Sequence, residues 1–434
     1  MGFYADFHIH SRFSRGTSKT MDLLQLAAWA GVKGITVLGS GDFTHPLWFD
    51  CLKSELAESA PGLFSLTQQS WIRALDSKEL TNFRICYKAL KTAHAGVFFI
   101  LSSEISLIYK KNKKVRKVHL LILAPSLTAV EKINAHLNQR FNLKADGRPI
   151  LGISARDLSA KILDIDDQVL IIPAHIWTPW FSLLGSKSGF DSVEECFEDY
   201  APYIHAVETG LSADPPMLAS VSSLQRLTFL SNSDAHSASN LGREANELDC
   251  NLSYTGIAQA IRTGNIVKTI EFFPEAGKYH YDGHRNCAVS LSPAAARKTN
   301  NLCPVCAKPL TLGVLHRVQE LSDQQGKAPV PFVYQIPLKQ ILAQMLKCGE
   351  PTKKVQRYYF SLIDRFGPEF HLLQHVAIEE ISKSDEPLAA AIQAMRQNRV
   401  RRVPGFDGVY GRIILEPYPP GRGLRSFVGF DSGK

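Results

Sequence analysis

Short apolar runs that end beside a histidine, aspartate or glutamate, with amphipathic stretches between them, constrain this chain more than any other feature. The runs are Tyr4 to Ile9, Ile35 to Leu38, Val97 to Ser102, Val118 to Leu123, Val169 to Pro173, His205 to Val207 and Leu227 to Leu230. Between them, Met21 to Ala30, Leu127 to Arg140, Ala155 to Leu163, Ser192 to Tyr200 and Pro216 to Arg226 have helical periodicity. Strand and helix repeated in this way predict an α/β barrel of parallel strands. In such a barrel the loops after the strands form one face, so residues far apart in sequence converge there.

The titratable residues fall where that geometry uses them. His8 and His10 close the first strand, Asp42 and His45 follow the second, and Glu104 follows the third. His175, Glu208 and the pair Asp234 and His236 follow the fifth, sixth and seventh. His119 stands early in the fourth strand and fits a parallel barrel least well. Asp6-Phe7-His8-Ile9-His10 alternates so that its three polar side chains share a face. Ser233-Asp234-Ala235-His236 supplies a second D-x-H pair, and Glu104 a carboxylate able to bridge two ions. Mixed imidazole and carboxylate ligation suits Zn²⁺, Mn²⁺ or Fe²⁺ better than Mg²⁺. Several divalent ions acidify water and neutralise a phosphoester, so phosphate-ester hydrolysis is the natural reaction. Glu208 is either a further ligand or a group behind the ligands. The chain lacks a Gly-x-Ser-x-Gly elbow, a P-loop and a G-x-G-x-x-G loop, which argues against serine chemistry and nucleotide cofactors.

A second metal signature follows. His284-Arg285-Asn286-Cys287 and Cys303-Pro304-Val305-Cys306 pair H-x-x-C with C-x-x-C, the pattern of a closed structural zinc site. His280 or His316 are alternatives to His284 as fourth ligand. The other cysteines, Cys51, Cys86, Cys196, Cys250 and Cys348, receive no role. Net charge is +8, and its distribution matters more than its size. From residue 276 on there are 22 Lys and Arg against 13 Asp and Glu, whereas the first part is close to neutral. A basic appendage on a neutral domain points to an anionic polymer. The expected division is a metallo-phosphodiesterase domain over 1–275, a zinc module over 276–335 and a helical, basic DNA-binding region over 336–434. The helices expected there are Pro337 to Lys347, Thr352 to Phe366, His371 to Ile381 and Leu388 to Asn398. Without a basic and apolar leader or a long apolar span, a cytoplasmic setting is expected.

The strand-end residues resemble the polymerase and histidinol phosphatase (PHP) superfamily. That resemblance implies a distorted (βα)7-type barrel in which His8, His10, Glu104 and Asp234 hold one ion and Glu104, His119 and His175 a second. It implies a third ion on His236 with Asp42, or with His45 in its place. It also places Asp234, His236 and Glu104 at the chemistry. Two departures weaken the third set: Gly41-Asp42-Phe43-Thr44-His45 replaces the usual T-D-H, and Ser11-Arg12-Phe13-Ser14 stands where the family has another histidine.

Basic residues mark tracks for a nucleic-acid backbone: Lys113, Lys114 and Arg116 in a hairpin, Lys353 and Lys354 at a helix start, and Arg399, Arg401 and Arg402 near the end. The glycines of Val403-Pro404-Gly405-Phe406-Asp407-Gly408 are expected to bring backbone N–H groups to phosphates. Trp177, Trp180 and Phe181, before the glycine-rich loop Gly185 to Gly189, are expected to line a base pocket with a mobile wall. Together with Pro173-Ala174-His175-Ile176-Trp177-Thr178-Pro179-Trp180-Phe181 and Tyr281-Asp282-Gly283-His284-Arg285-Asn286-Cys287, the chain resembles the endonuclease Q family of PHP-domain DNA repair enzymes. The resemblance implies nicking on the 5′ side of deaminated bases (uracil, hypoxanthine, xanthine) or abasic sites, with Zn, Mn or Mg in the PHP site and one structural Zn. DNA is the implied partner, and a sliding clamp is a candidate recruiter. The rival expectation is a PHP-type phosphatase acting on a small phosphomonoester, which leaves the zinc module and the basic end without a role.

Overall fold

The structure is a computed structural model that describes residues 2–70 and 96–416; Cys86 and the Gly-, Pro- and Arg-rich end beyond residue 416 lie outside them. Its strands are β1 (Phe3–Asp6), β2 (Ile35–Gly39), β3 (Leu56–Ala60), β4 (Leu63–Leu66), β5 (Phe98–Lys111), β6 (Lys114–Ala124), β7 (Ile150–Leu151) and β8 (Leu170–Pro173). They continue with β9 (Ala206–Glu208), β10 (Thr228–Leu230), β11 (Ala245–Leu248), β12 (Lys268–Glu271), β13 (Asp282–His284) and β14 (Val289–Leu291). The last are β15 (Phe332–Tyr334), β16 (Val400–Val403) and β17 (Arg412–Leu415).

Every expected strand is present, within a distorted α/β barrel, but the sheet is mixed. β1, β2 and β5 run parallel, as do β9 and β10. β6 instead returns antiparallel beside β5 and pairs antiparallel with β8, and β11 runs antiparallel to β1. The all-parallel expectation fails because only the turn residues Asn112 and Lys113, both at positive φ, separate β5 from β6. A connection that short makes a hairpin, whereas a parallel crossover needs a dozen residues or more. This also explains His119. Because β6 runs backwards, its beginning lies at the rim where β5 ends, with His119 opposite Ser106.

The helices start where local chemistry supplies a cap. Asp22, Ser126, Ser154, Ser192 and Ser253 each accept a hydrogen bond from the backbone N–H three residues on. The predicted helix at Ser192 to Tyr200 is shorter, Val193–Phe197, because Glu198 turns to φ +53°. Pro216 to Arg226 resolves into Pro215–Ala219 and a separate 3₁₀ turn, Ser222–Leu224.

Beyond β12, the β13–β14 hairpin packs on a miniature core of Ala296, Cys303 and Leu310. Helices Pro293–Lys298 and Val314–Leu321 follow the hairpin, and after β15 come Leu338–Leu346, Lys353–Phe366, Ile378–Ser382 and Glu386–Arg396, with a π-helical turn at His371–His375. They lie against the barrel: Tyr4 stacks on Phe370, and β15 pairs with β12. Among the described residues, no helix is long and apolar enough to cross a membrane.

Candidate metal centre and its cavity

β1, β5 and the loop after β10 bring His8, His10, Glu104 and Asp234 together, with one ligand-type atom from each within 4.8 Å of the others. β6 and the loop after β8 do the same for Glu104, His119 and His175, so the Glu104 carboxylate is common to both groups. His10 Nε2 lies 3.1 Å from Asp234 Oδ1 and 3.3 Å from Glu104 Oε2. His119 Nδ1 and His175 Nε2 approach Glu104 Oε1 at 2.6 and 3.1 Å. These donors are tightly shut in: His8, His10 and Glu104 are fully buried.

The nitrogens on the far side of the rings are held by neighbours. His8 Nδ1 faces both oxygens of Glu208 at 3.0 and 3.1 Å, and His10 Nδ1 lies 3.1 Å from Asp42 Oδ1. The Thr178 hydroxyl donates to the Trp180 carbonyl and accepts from His175 Nδ1 at 3.3 Å. An imidazole pinned through Nδ1 presents Nε2 as the free donor, the arrangement metal-ligating histidines adopt. His8 Nε2 is indeed buried without a hydrogen-bond partner, 3.6 Å from Glu104 and 3.7 Å from Asp234. Such an atom is costly unless a cation takes its lone pair, so this donor set fits divalent ions. Burial opposes charge on His8, yet Glu208 and Glu104 outweigh it and hold the group well above the ordinary histidine value. His10 is raised in the same way by Asp234, Asp42 and Glu104, whereas burial carries His119 down to about 4.

Backbone geometry is adapted to these contacts. Asp42, His175 and Asp234 sit at φ +47°, +30° and +46°, conformations that persist only when the surroundings enforce them. Glu208 is one enforcer, accepting the His175 backbone N–H at 2.9 Å. Gly210 is another: a Cβ there would stand 2.5 Å from His175 Cβ. Asp6 anchors the opposite loop by accepting the N–H groups of Ser233 and Gly242, both at 3.0 Å.

The centre opens into a cavity of about 1520 Å³, whose cationic lining comprises Arg15, Arg148, Arg243, Lys278, Lys339 and Arg412. The first five are marked by no basic run or motif in the sequence, whereas Arg412 stands among the arginines that cluster around Val403 to Gly408. Arg148 is the most telling, because it donates to Glu104 Oε2 at 2.9 Å. It reaches Glu104 through the pairing of β7 with β5, a long-range contact without local signal.

Several expected site residues lie elsewhere. Asp42 is fully buried, and its second oxygen accepts from the Ser11 backbone and hydroxyl and the Ser14 hydroxyl, so it orients His10 instead of joining His236. His45 stacks on Phe13 at 4.3 Å, His236 rests its Nδ1 on the Asp234 carbonyl, and neither is among the converging donors. Trp177 is 1% exposed in the core and is absent from the cavity wall, which Trp180 and Phe181 line. The loop from Gly185 to Gly189 is fastened by bonds from Lys187 N–H to the Pro179 carbonyl and from the Ser186 hydroxyl to the Leu312 carbonyl. Arg116 is buried against Gly189, Glu195 and Phe190, and Arg402 pairs with Glu275 beneath Phe273 and Tyr334; both serve packing. The N–H groups of Gly405, Gly408 and Gly411 are spent on the carbonyls of Glu275, Lys278 and Ala276, so they are unavailable to phosphates. Lys113, Lys114, Lys353, Lys354, Arg399 and Arg401 are exposed, outside the cavity wall.

Around the β13–β14 hairpin, His284, Cys287, Cys303 and Cys306 converge within 4.8 Å, with His284 Nδ1 3.7 Å from Cys306 Sγ. The alternatives His316 and His280 are not among the donors that converge there; their Nδ1 atoms face Asp282 at 2.6 Å and the Ser212 carbonyl. Four donors with none left open suit a structural Zn²⁺.

The chain is 30% identical to the lesion-specific endonuclease PfuEndoQ from Pyrococcus furiosus, whose crystal structure superposes with a TM-score of 0.80 over 96% of either chain. The chain belongs to the endonuclease Q family. The structure of endonuclease Q in complex with a 27-mer duplex substrate carrying an abasic lesion at the active site matches at TM-score 0.81, with 30% identity over 96% of this chain and 97% of that one. Within this endonuclease Q chain, residues 337–399 match the family profile of the MJ0043 C-terminal domain. YqxK of Bacillus subtilis is 31% identical over 427 residues, 94% of this chain and 98% of that protein. MJ0043 of Methanocaldococcus jannaschii is 34% identical over 254 residues, 56% of this chain, and the match spans only 32% of that longer relative.

Proposed function

We propose that this chain is a DNA repair endonuclease that hydrolyses the phosphodiester on the 5′ side of a deaminated base or an abasic site. The observation that carries the reading is the pair of donor groups joined at Glu104, on the floor of a cavity whose wall bears six cationic side chains. PfuEndoQ supports it as a lesion-specific endonuclease, and the family's abasic-lesion duplex complex supports DNA as partner. In this reading His8, His10, Glu104 and Asp234 hold one divalent ion and Glu104, His119 and His175 another. Bound ions supply Lewis acidity, lowering the pKa of water and offsetting charge on the phosphoester.

The chain's own residues divide the remaining work. Glu208 and Asp42 keep the imidazoles of His8 and His10 in one tautomer and one orientation. Arg148 and Arg243 bring fixed positive charge to the cavity, where a scissile phosphate needs it. His236 donates Nδ1–H to the Asp234 carbonyl and is held neutral by burial, which leaves the Nε2 lone pair to take a proton from the attacking water, while the departing 3′ oxygen draws its proton from solvent. Water adds to phosphorus, the bond to the 3′ oxygen breaks, and the products are a 3′-hydroxyl and a 5′-phosphate. Trp180 and Tyr279, edge to face at 5.9 Å on the cavity wall, offer aromatic surface to a nucleotide turned out of the stack.

The deciding experiment incubates the protein with Mn²⁺, Mg²⁺ or Zn²⁺ and duplexes bearing one uracil, hypoxanthine, xanthine or abasic site, beside an undamaged duplex and a small phosphomonoester. Lesion-dependent nicks 5′ to the damage are expected, lost in Asp234→Ala and His8→Ala. Phosphate release without nicking would instead make the chain a phosphatase.

A further inference from the structure

β5 and β6 form one long ribbon whose side chains alternate between two faces. Ser106 faces His119, Ile108 faces Lys117 and Lys110 faces Val115, so each pair shares a side of the ribbon with Glu104. The side that carries two of the proposed ion ligands at its base therefore carries Lys117 and Lys110 further out. On the reverse side Lys111 pairs with Glu198 and Arg116 with Glu195, while Lys114, opposite Lys111, is exposed at the tip. On the ligand side Lys110 is exposed, Val115 is 47% exposed, and Lys117 lies over the Phe181 ring at 5.1 Å; Lys113 is exposed at the turn beyond them. Phe181 lines the cavity and packs on His119 at 4.8 Å, so this face of the ribbon leads into the mouth of the cavity.

At about 3.4 Å per residue, Lys117 stands roughly 7 Å along the ribbon from His119, and the Lys110–Val115 pair roughly 14 Å. Duplex DNA advances about 3.4 Å per base pair. On a duplex lying along the ribbon those positions correspond to about two and four base pairs from the scissile phosphate, with Lys113 at the turn beyond.

We propose that this face of the β5–β6 ribbon is a flank clamp, in which Lys117, Lys110 and Lys113 follow the phosphates of the duplex on one side of the cut. It grips intact helix beside the lesion and reads charge, not base sequence. The inference rests on the DNA-cleaving function proposed above.

The test follows nicking of a lesion duplex across a salt series by the full chain and by the variant Lys110→Gln/Lys113→Gln/Lys117→Gln. Log kcat/KM should depend on log salt less steeply in the variant, by about three units, close to one per lost phosphate contact. The matching triple Lys→Arg variant should keep the original slope. Trimming the duplex to two base pairs on one flank should erase the difference, and trimming the other flank should leave it. Equal slopes on the long duplex, or a difference that survives trimming of either flank, overturns the clamp while leaving the endonuclease reading intact. Absence of lesion-dependent nicking by the unmodified chain overturns both.

Discussion

Lys33 Nζ, at the end of the Leu23–Lys33 helix of the barrel, lies 2.7 Å from Glu369 Oε2 in the C-terminal helical region, and both side chains are at most 3% exposed. Glu369 also accepts the Leu338 N–H and the Tyr359 hydroxyl, so one buried carboxylate ties three segments. Removing one partner of such a pair strands a charge away from water. Lys33→Met should therefore cost about 3–5 kcal/mol, while Lys33→Met/Glu369→Met should recover only part of it, because the Leu338 N–H and the Tyr359 hydroxyl then lose their acceptor. Burial opposes the charge on Glu369, but Lys33 and Tyr359 outweigh it and lower its pKa. The pair's stabilisation is thus complete above the unfolded glutamate value and disappears as pH falls through the lowered one. Denaturant titrations of both variants at neutral and acidic pH check sign and size; equal stability of the single and double variants would contradict the coupling.

Glu208 is read as a positioning residue. Glu208→Gln keeps its size but weakens the grip on His8 Nδ1 and the His175 backbone. Divalent-ion affinity, followed by calorimetry, should fall about 10–100-fold with the fold retained. Unaltered affinity would reduce Glu208 to packing.

Ion uptake should release protons. Carboxylates hold His8 and His10 well above the ordinary histidine pKa in the ion-free protein, and a cation needs both rings neutral. Apparent affinity should therefore drop as pH falls, approaching about two decades per pH unit once both rings are protonated. The folding term has the opposite sense: these charged histidines stabilise the ion-free fold at low pH, and that contribution is lost as pH rises through their raised values. Titrating metal into weakly buffered protein with a pH indicator reads the released protons directly.

The zinc module allows a sharp discrimination. Cys306→Ala or His284→Ala should remove about one equivalent of zinc and lower the melting temperature, whereas His280→Ala should leave the zinc content intact. Elemental analysis of the purified variants decides, and loss of zinc from His280→Ala would reassign the fourth ligand.

What could be read from the chain divides along sequence distance. The alternation of His8 with His10, the H-x-x-C and C-x-x-C spacings and the capping serines are local patterns, and the structure follows them closely. The antiparallel return of β6 was available in Asn112-Lys113, yet the repeating strand-helix pattern outweighed that turn. Arg148 at Glu104, and Glu275 taking Arg402 out of the basic surface, depend on pairings across many residues, which composition and periodicity do not encode. Trp177 was misread because aromatic residues beside a ligand serve cores as readily as pockets.

The left-handed backbone at Asp42, His175 and Asp234 has an evolutionary corollary. Each such conformation costs of order 1–3 kcal/mol, so the floor of the cavity is assembled against local preference. Glycine at His175 or Asp234 would relieve that strain and leave an inert floor, whereas at Asp42 it would strand the donors the carboxylate holds. A lineage released from the need to cut would find greater heat tolerance one substitution away, at the expense of the geometry on which cutting depends.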